Sequence, residues 1–164
     1  MMEWMLMPLR RYADFSGRSR RLEFWMFFLF QWLVLIALVV LTMLVLGIGI
    51  GGIAALSDNA MSSAAGVGLG VTVLVMIGIW LLFVFGTAIP NAALVVRRFH
   101  DLGNPGWVGG LLYALTFVLN LLGLWFINLP GLILLVFMCI DGNQGPNAFG
   151  HDPKGGQGVA DTFA

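Results

Sequence analysis

Three long stretches of this chain carry no charged residue, and its polar residues collect between and beyond them. Phe24 to Ile50 is uncharged over about 27 positions, more than the roughly 20 apolar residues that carry a helix across a bilayer core. The run predicts a transmembrane helix with room to tilt. It is too long for the core of a cleaved signal peptide, about 7–15 residues. Val67 to Val96 predicts a second span, with Pro90 expected to kink it near one membrane face. Trp107 to Ile140 is uncharged over about 34 positions, or about 51 Å as one straight helix against a core of about 30 Å. The helix-breaking run Asn128-Leu129-Pro130-Gly131 divides it into two short spans, about 107–126 and 128–140. A re-entrant hairpin is the alternative for this segment.

Composition agrees with this pattern. The chain has 164 residues, of which 60% are hydrophobic and 10% charged. Soluble domains carry about 25% charged residues, so the expected fold is an all-α membrane protein with four transmembrane helices. A single domain over 1–153 is expected, with 154–164 as a flexible tail. With four spans, all eight basic residues (Arg10, Arg11, Arg18, Arg20, Arg21, Arg97, Arg98 and Lys154) fall on one side. The positive-inside rule then puts both termini and the 97–106 loop in the cytoplasm. The formal net charge is zero, so no global basic field points to nucleic acid. Cys139 is the single cysteine, which excludes a disulfide framework and a zinc site built on several thiolates.

Several motifs are decoys. "GIGIGG" at 47–52 matches a dinucleotide-binding pattern, but a membrane helix precedes it and the nearest acid is Asp58. Close helix packing explains it better, with Gly47 and Gly51, and Gly66 and Gly70, at small-xxx-small spacing. The stretch 51–66 reads as a flexible outer loop. His100-Asp101 and His151-Asp152 suggest a metal, yet the two histidines sit in separate segments without a ligand-helix motif, so no metal and no cofactor is expected. The spans hold no Asp, Glu, Lys, Arg or His, which argues against an ion-coupled pump. Asn91 and Asn128 lie near expected helix ends, where capping is the simple role.

The chemistry therefore lies in three polar segments that meet one membrane face. In "DFSGRSRRLEFW", 14–25, Ser16 or Ser19 can cap the first span, three arginines cluster at headgroup level, and Trp25 is an interfacial anchor. In "RRFHDLGNPGW", 97–107, the second helix can run to Leu102. Ala92, Val95, Val96, Phe99 and Leu102 then share one face, and Asn91, Arg98 and Asp101 another. Gly103 suits the C-cap, Pro105 prevents continuation, and Trp107 begins the next span. Arg18 and Arg98 could each fork onto a carboxylate, with Glu23 and Asp101 nearest in sequence. The third segment, "DGNQGPNAFGHDP", 141–153, has turn composition and is either a compact loop folded back under the bundle or a loose tail. The 97–107 stretch is expected to form a structured corner touching the other two.

At these segments the chain resembles the small bacterial inner-membrane proteins catalogued as domain of unknown function 805. The matching residues are Phe15-Ser16-Gly17-Arg18, Arg21, Glu23 and Trp25, then Arg97-Arg98-Phe99-His100-Asp101 with Gly106-Trp107, then Gly145, Asn147, Phe149-Gly150 and Asp152-Pro153. The chain departs from the family at Asn104-Pro105, where a basic residue and serine are commoner, and in its long glycine-rich outer loop. The resemblance implies a multi-pass protein of the bacterial inner (plasma) membrane and implies no activity. The candidate binding cluster on the cytoplasmic face is Arg18, Arg21, Glu23, Arg97, Arg98, His100, Asp101 and Asn147. The leading reading is a non-enzymatic protein whose partners are the lipid bilayer, anionic lipid headgroups, a membrane-protein partner or a second copy of itself. A small-solute facilitator or channel subunit is the alternative. A lipid-headgroup enzyme with His100 as base, oriented by Asp101, comes third.

Overall fold

The computed structural model describes residues 2–54 and 59–153. Its helices are α1 (Met2–Arg10), α2 (Arg21–Ala54), α3 (Asn59–Asp101), α4 (Gly106–Leu121) and α5 (Leu129–Cys139), with a 3-10 turn at Trp125–Ile127. Among the described residues the only β pairing is an isolated bridge between Asn147 and Gly150. The expected tail at 154–164, with Lys154, lies outside the described residues, as does Asp58.

Among the described residues, two helices are long and apolar enough to cross a membrane. At 34 and 43 residues, α2 and α3 are about 51 and 65 Å long. Both continue into the stretch read as a flexible loop, α2 to Ala54 and α3 from Asn59. Alanine and methionine in 59–65 are good helix formers, and the glycines of 47–52 cost about 1 kcal/mol each without stopping the helix. Asn91 does not cap a helix end. It sits inside α3, one residue after Pro90, and its side-chain amide donates to the Thr87 carbonyl at 2.9 Å.

The structure divides into two compact units, residues 30–86 and the remainder. In the first, Trp80 Nε1 donates to Thr42 Oγ1 at 3.2 Å, an interhelical hydrogen bond in an apolar setting. The expected small-xxx-small contact takes another form. A Cβ on Gly47, Gly66 or Gly70 would meet nothing within 4 Å, whereas one on Gly49 would lie 2.7 Å from Leu69 Cδ1. Packing follows the helix face that meets its neighbour, and i, i+4 spacing alone does not identify that face.

The second unit holds the core and the polar segments. Val95 and Phe99 of α3 pack with Leu134 and Met138 of α5, joined by Phe24, Val108, Leu112, Tyr113 and Phe137. The Phe99 and Phe137 rings are 5.0 Å apart. Two glycines bring α4 close: a Cβ at Gly109 would sit 2.5 Å from the Phe99 ring, and one at Gly106 2.4 Å from His100 Nε2. The expectation of one apolar and one polar face for the end of α3 gives way to burial on all sides. Arg97 and Arg98 are as fully buried as Phe99. α1, which hydrophobic periodicity did not signal, carries Glu3 in its first turn and Arg10 in its last, matching the helix dipole.

Candidate functional site

The corner at 97–107 begins with a helix stop. Gly103, in the left-handed region at φ 75°, donates its N–H to the His100 carbonyl, and Asn104 N–H donates to the Phe99 carbonyl at 3.0 Å. This is the paired closure that glycine permits after a helix. It leaves Asp101 as the last residue of α3, with its carboxylate turned into the protein and 3% of the residue exposed.

Asp101 receives two arginines. Arg18 Nε donates to Oδ1 at 2.9 Å, and Arg98 Nη1 donates to Oδ2. Backbone carbonyls take up further guanidinium N–H groups, while Arg98 Nε is buried without a partner. Arg18 donates to Asn143 at 2.5 Å and Gly145 at 2.7 Å, and Arg98 donates to Ile140. The 141–153 segment is therefore the compact loop, folded onto Asp101. Asn143 N–H donates to the Asp101 carbonyl at 2.9 Å, and Gly145 N–H donates to the Asp152 carboxylate at 3.0 Å. Gly142 makes the approach possible, since a Cβ there would fall 1.8 Å from Asp101 Oδ2.

A second pair lies beside the first. Arg97 Nη2 is 3.3 Å from Glu23 Oε1, with side-chain exposures of 0% and 3%. Ser19 Oγ donates to the other Glu23 oxygen, and Ser19 N–H donates to the Arg97 carbonyl at 3.3 Å. Glu23 therefore serves Arg97, and not Arg18 as sequence proximity suggested. Ser19 acts on a side chain and not as a helix cap. Ser16 is drawn instead into the 11–16 turn, where its hydroxyl and N–H both donate to Asp14. The Ser16 hydroxyl, and next the Arg11 guanidinium, hold the Asp14 carboxyl well below the usual carboxylate range. Arg21 reaches Asp141 at 2.6 Å near the surface, where such a pair stabilises by about 0–1 kcal/mol.

His100 joins the three segments. Its Nδ1 lies 3.1 Å from the Gly17 carbonyl, its ring stacks on Phe149 at 4.2 Å, and its own carbonyl accepts from Asn147 Nδ2 at 2.8 Å. The Gly17 carbonyl is only an acceptor, so this contact is a hydrogen bond when Nδ1 carries the proton. Asp101 does not orient the ring, because both its oxygens go to arginines. Among the described residues no group of three or more His, Cys, Asp or Glu is placed to hold a metal ion.

The family described as protein of unknown function (DUF805) matches residues 12–151, the span that holds Asp101, both of its arginines, the Arg97–Glu23 pair and the contacts of His100. This chain belongs to it. Among relatives of the DUF805 chain, the inner membrane protein YhaI of Escherichia coli K12 is 32% identical over 155 residues, covering 94% of this chain and 98% of its own. The inner membrane protein YhaH of the same strain is 32% identical over 153 residues, covering 93% and 98%. No solved structure matches.

All eight candidate residues of this DUF805 member fall in the one unit, and all but Arg98, which bonds Asp101 and the Ile140 carbonyl, contact another of the three polar segments. Sequence reasoning missed the groups that make the contacts possible, namely Gly142 and the carbonyls of Asn143 and Gly145. A glycine directly after Asp141, beside a buried carboxylate, leaves no hydropathy signal. Gly17 and Gly145, both at positive φ, lie inside the resemblance and could have been weighed as turn formers.

Proposed function

We propose that this chain is a multi-pass protein of the bacterial inner membrane with both termini in the cytoplasm, and that it acts by binding and not by catalysis. α2 and α3 cross the bilayer, and the 106–139 segment enters and returns on the cytoplasmic side. Two lines of support are the one-sided basic residues and the relatives' description as inner membrane proteins. The ligand is the anionic headgroup layer.

The observation that carries this reading is the division of labour among the arginines. Arg18, Arg97 and Arg98 are buried and directed at Asp101, Glu23 and peptide carbonyls, so they build the corner. Arg10 is exposed and Arg21 is partly so, among the exposed Tyr12, Phe15, Leu22 and Trp25. Basic and aromatic side chains interleaved in this way suit a headgroup surface, with about 1 kcal/mol gained per Lys or Arg near anionic lipid.

The test is native mass spectrometry from mild detergent with phosphatidylglycerol, cardiolipin and phosphatidylcholine in equal supply. Wild type should retain the two anionic lipids. Arg10→Gln with Arg21→Gln should lose most of that preference while melting close to wild type. An unchanged preference in the double variant, or no preference in wild type, would overturn the headgroup reading.

A further inference from the structure

The segment that leaves the corner and comes back is too short to complete the journey. α4 has 16 residues and is about 24 Å long. α5 has 11 residues, about 17 Å, and the 3-10 turn before it adds about 6 Å if it lies in line. The two arms therefore agree at about 23–24 Å, against a hydrocarbon core of about 30 Å. An ordinary tilt of about 20° takes off a further angstrom or two.

Both arms leave from the polar corner, with Gly106 against His100 and Cys139 bonded to Arg21. Trp107, 70% exposed, opens α4, and the carbonyl of Cys139 at the end of α5 accepts from Arg21, which also pairs with Asp141. A hairpin anchored there ends some 6–8 Å before the far boundary.

Its tip is composed for that depth. Residues 120–129, "NLLGLWFINL", hold no charge, and Leu121, Leu122, Phe126, Ile127 and Leu129 are each more than half exposed. Several polar groups at the tip bond to each other. Gly123, at φ 72°, donates to the Asn120 carbonyl, and Leu124 N–H donates to the Leu119 carbonyl at 2.8 Å. Asn128 Oδ1 accepts from Gly131 N–H at 3.0 Å while its amide donates to Asn120 Oδ1 at 3.3 Å. Hydrocarbon demands such internal satisfaction and water does not. The sequence around the junction of α2 and α3 contrasts with this in holding Ser57, Asp58, Asn59, Ser62 and Ser63.

We infer that α4 and α5 form a re-entrant hairpin whose tip is an interaction surface for the acyl chains of the far leaflet, so that the chain crosses the membrane twice and dips into it once. This inference rests on the membrane reading above, though not on its orientation.

Depth is measured directly. Single cysteines replace Leu122 or Phe126, both largely exposed, in a Cys139→Ser background, with Ile36→Cys and Gly52→Cys as references for the middle and the outer end of α2. Each carries a nitroxide, and collision with a water-soluble nickel chelate is compared with oxygen in dioleoyl-phosphatidylcholine vesicles. The tip positions should match Ile36 in losing nickel access, and should gain it in thin dimyristoleoyl bilayers. Nickel access at the tip equal to that at Gly52 in dioleoyl vesicles would overturn the inference. In cells, an impermeant maleimide applied from outside should label Gly52→Cys and neither tip cysteine. Labelling at the tip would count against the dip. A Gly52→Cys that stays unlabelled overturns the proposed orientation, while the vesicle measurement still decides the depth.

Discussion

Asp101 is the residue on which most of the corner depends, because two buried guanidinium groups share its carboxylate. Asp101→Asn keeps the shape and removes the charge, leaving Arg18 and Arg98 without a counter-ion. Breaking a buried pair in this way costs about 3–5 kcal/mol, so this variant should show the largest fall in detergent melting temperature of any single substitution in the cluster. Arg18→Lys tests geometry at constant charge. One ammonium cannot reach Asp101, Asn143 and Gly145 together as the planar fork does, and each buried acceptor left unpaired costs about 1–3 kcal/mol. Wild-type melting for Arg18→Lys would reduce this arginine to a topology signal. The 11–16 turn gives a smaller, pH-dependent effect. The folded Asp14 carboxyl is depressed, so its contribution is complete above its unfolded pKa of about 4 and fades as pH falls through the folded value. Melting of wild type and Asp14→Asn should differ at pH near 7 and converge toward pH near 2. The gap should be small, since Arg11 and Asp14 are each over a third exposed.

At the scale of elements, the long apolar runs were legible because hydrophobicity integrates over many residues, and both α2 and α3 contain the runs that announced them. Gly103, Pro105 and Asn128 were also legible, since each meets a local backbone need that no tertiary contact overrides. α1 was not, because nine residues with Pro8 inside offer too short a pattern. The end of α4 at Leu121, and not near 126, turns on Gly123 adopting a positive φ, one conformational choice among many open to glycine. The exchange of partners, Glu23 with Arg97 and Asp101 with Arg18, was illegible for a different reason. Sequence distance says little about which side chains meet when α2 and α3 approach at their polar ends. Packing at the α3–α4 crossing supplies the element-scale prediction. Gly109→Ala drives a methyl into the Phe99 ring and should cost about 1–3 kcal/mol, whereas Gly110→Ala, with its nearest neighbour at 3.6 Å, should be close to neutral. Equal melting temperatures for the two variants would show that the helices slide apart without cost.

For the whole molecule, the expected topology puts both termini in the cytoplasm. A cytoplasmic reporter after Ala164 should be active, and a periplasmic one silent. The reverse result would mean either that 106–139 crosses once or that the chain is inverted, and the labelling of Gly52→Cys from outside separates the two. Charge placement made this expectation readable from sequence, whereas the partners of each charge needed coordinates. The closing of the corner also sets an order in time. Arg18 precedes all the apolar helices, yet two of its acceptors, the carbonyls of Asn143 and Gly145, lie more than 120 residues further on, beyond the last helix. During synthesis the membrane segments therefore leave the ribosome before the groups that lock their polar ends exist. Insertion and closure are separate events, and a nascent chain must keep Arg18 and Arg98 hydrated at the headgroups until 141–150 emerge. A chain ending at Ile140 should still insert, yet remain open at the corner and be cleared by membrane proteases faster than the full chain, so that its half-life in cells records how much the last loop contributes.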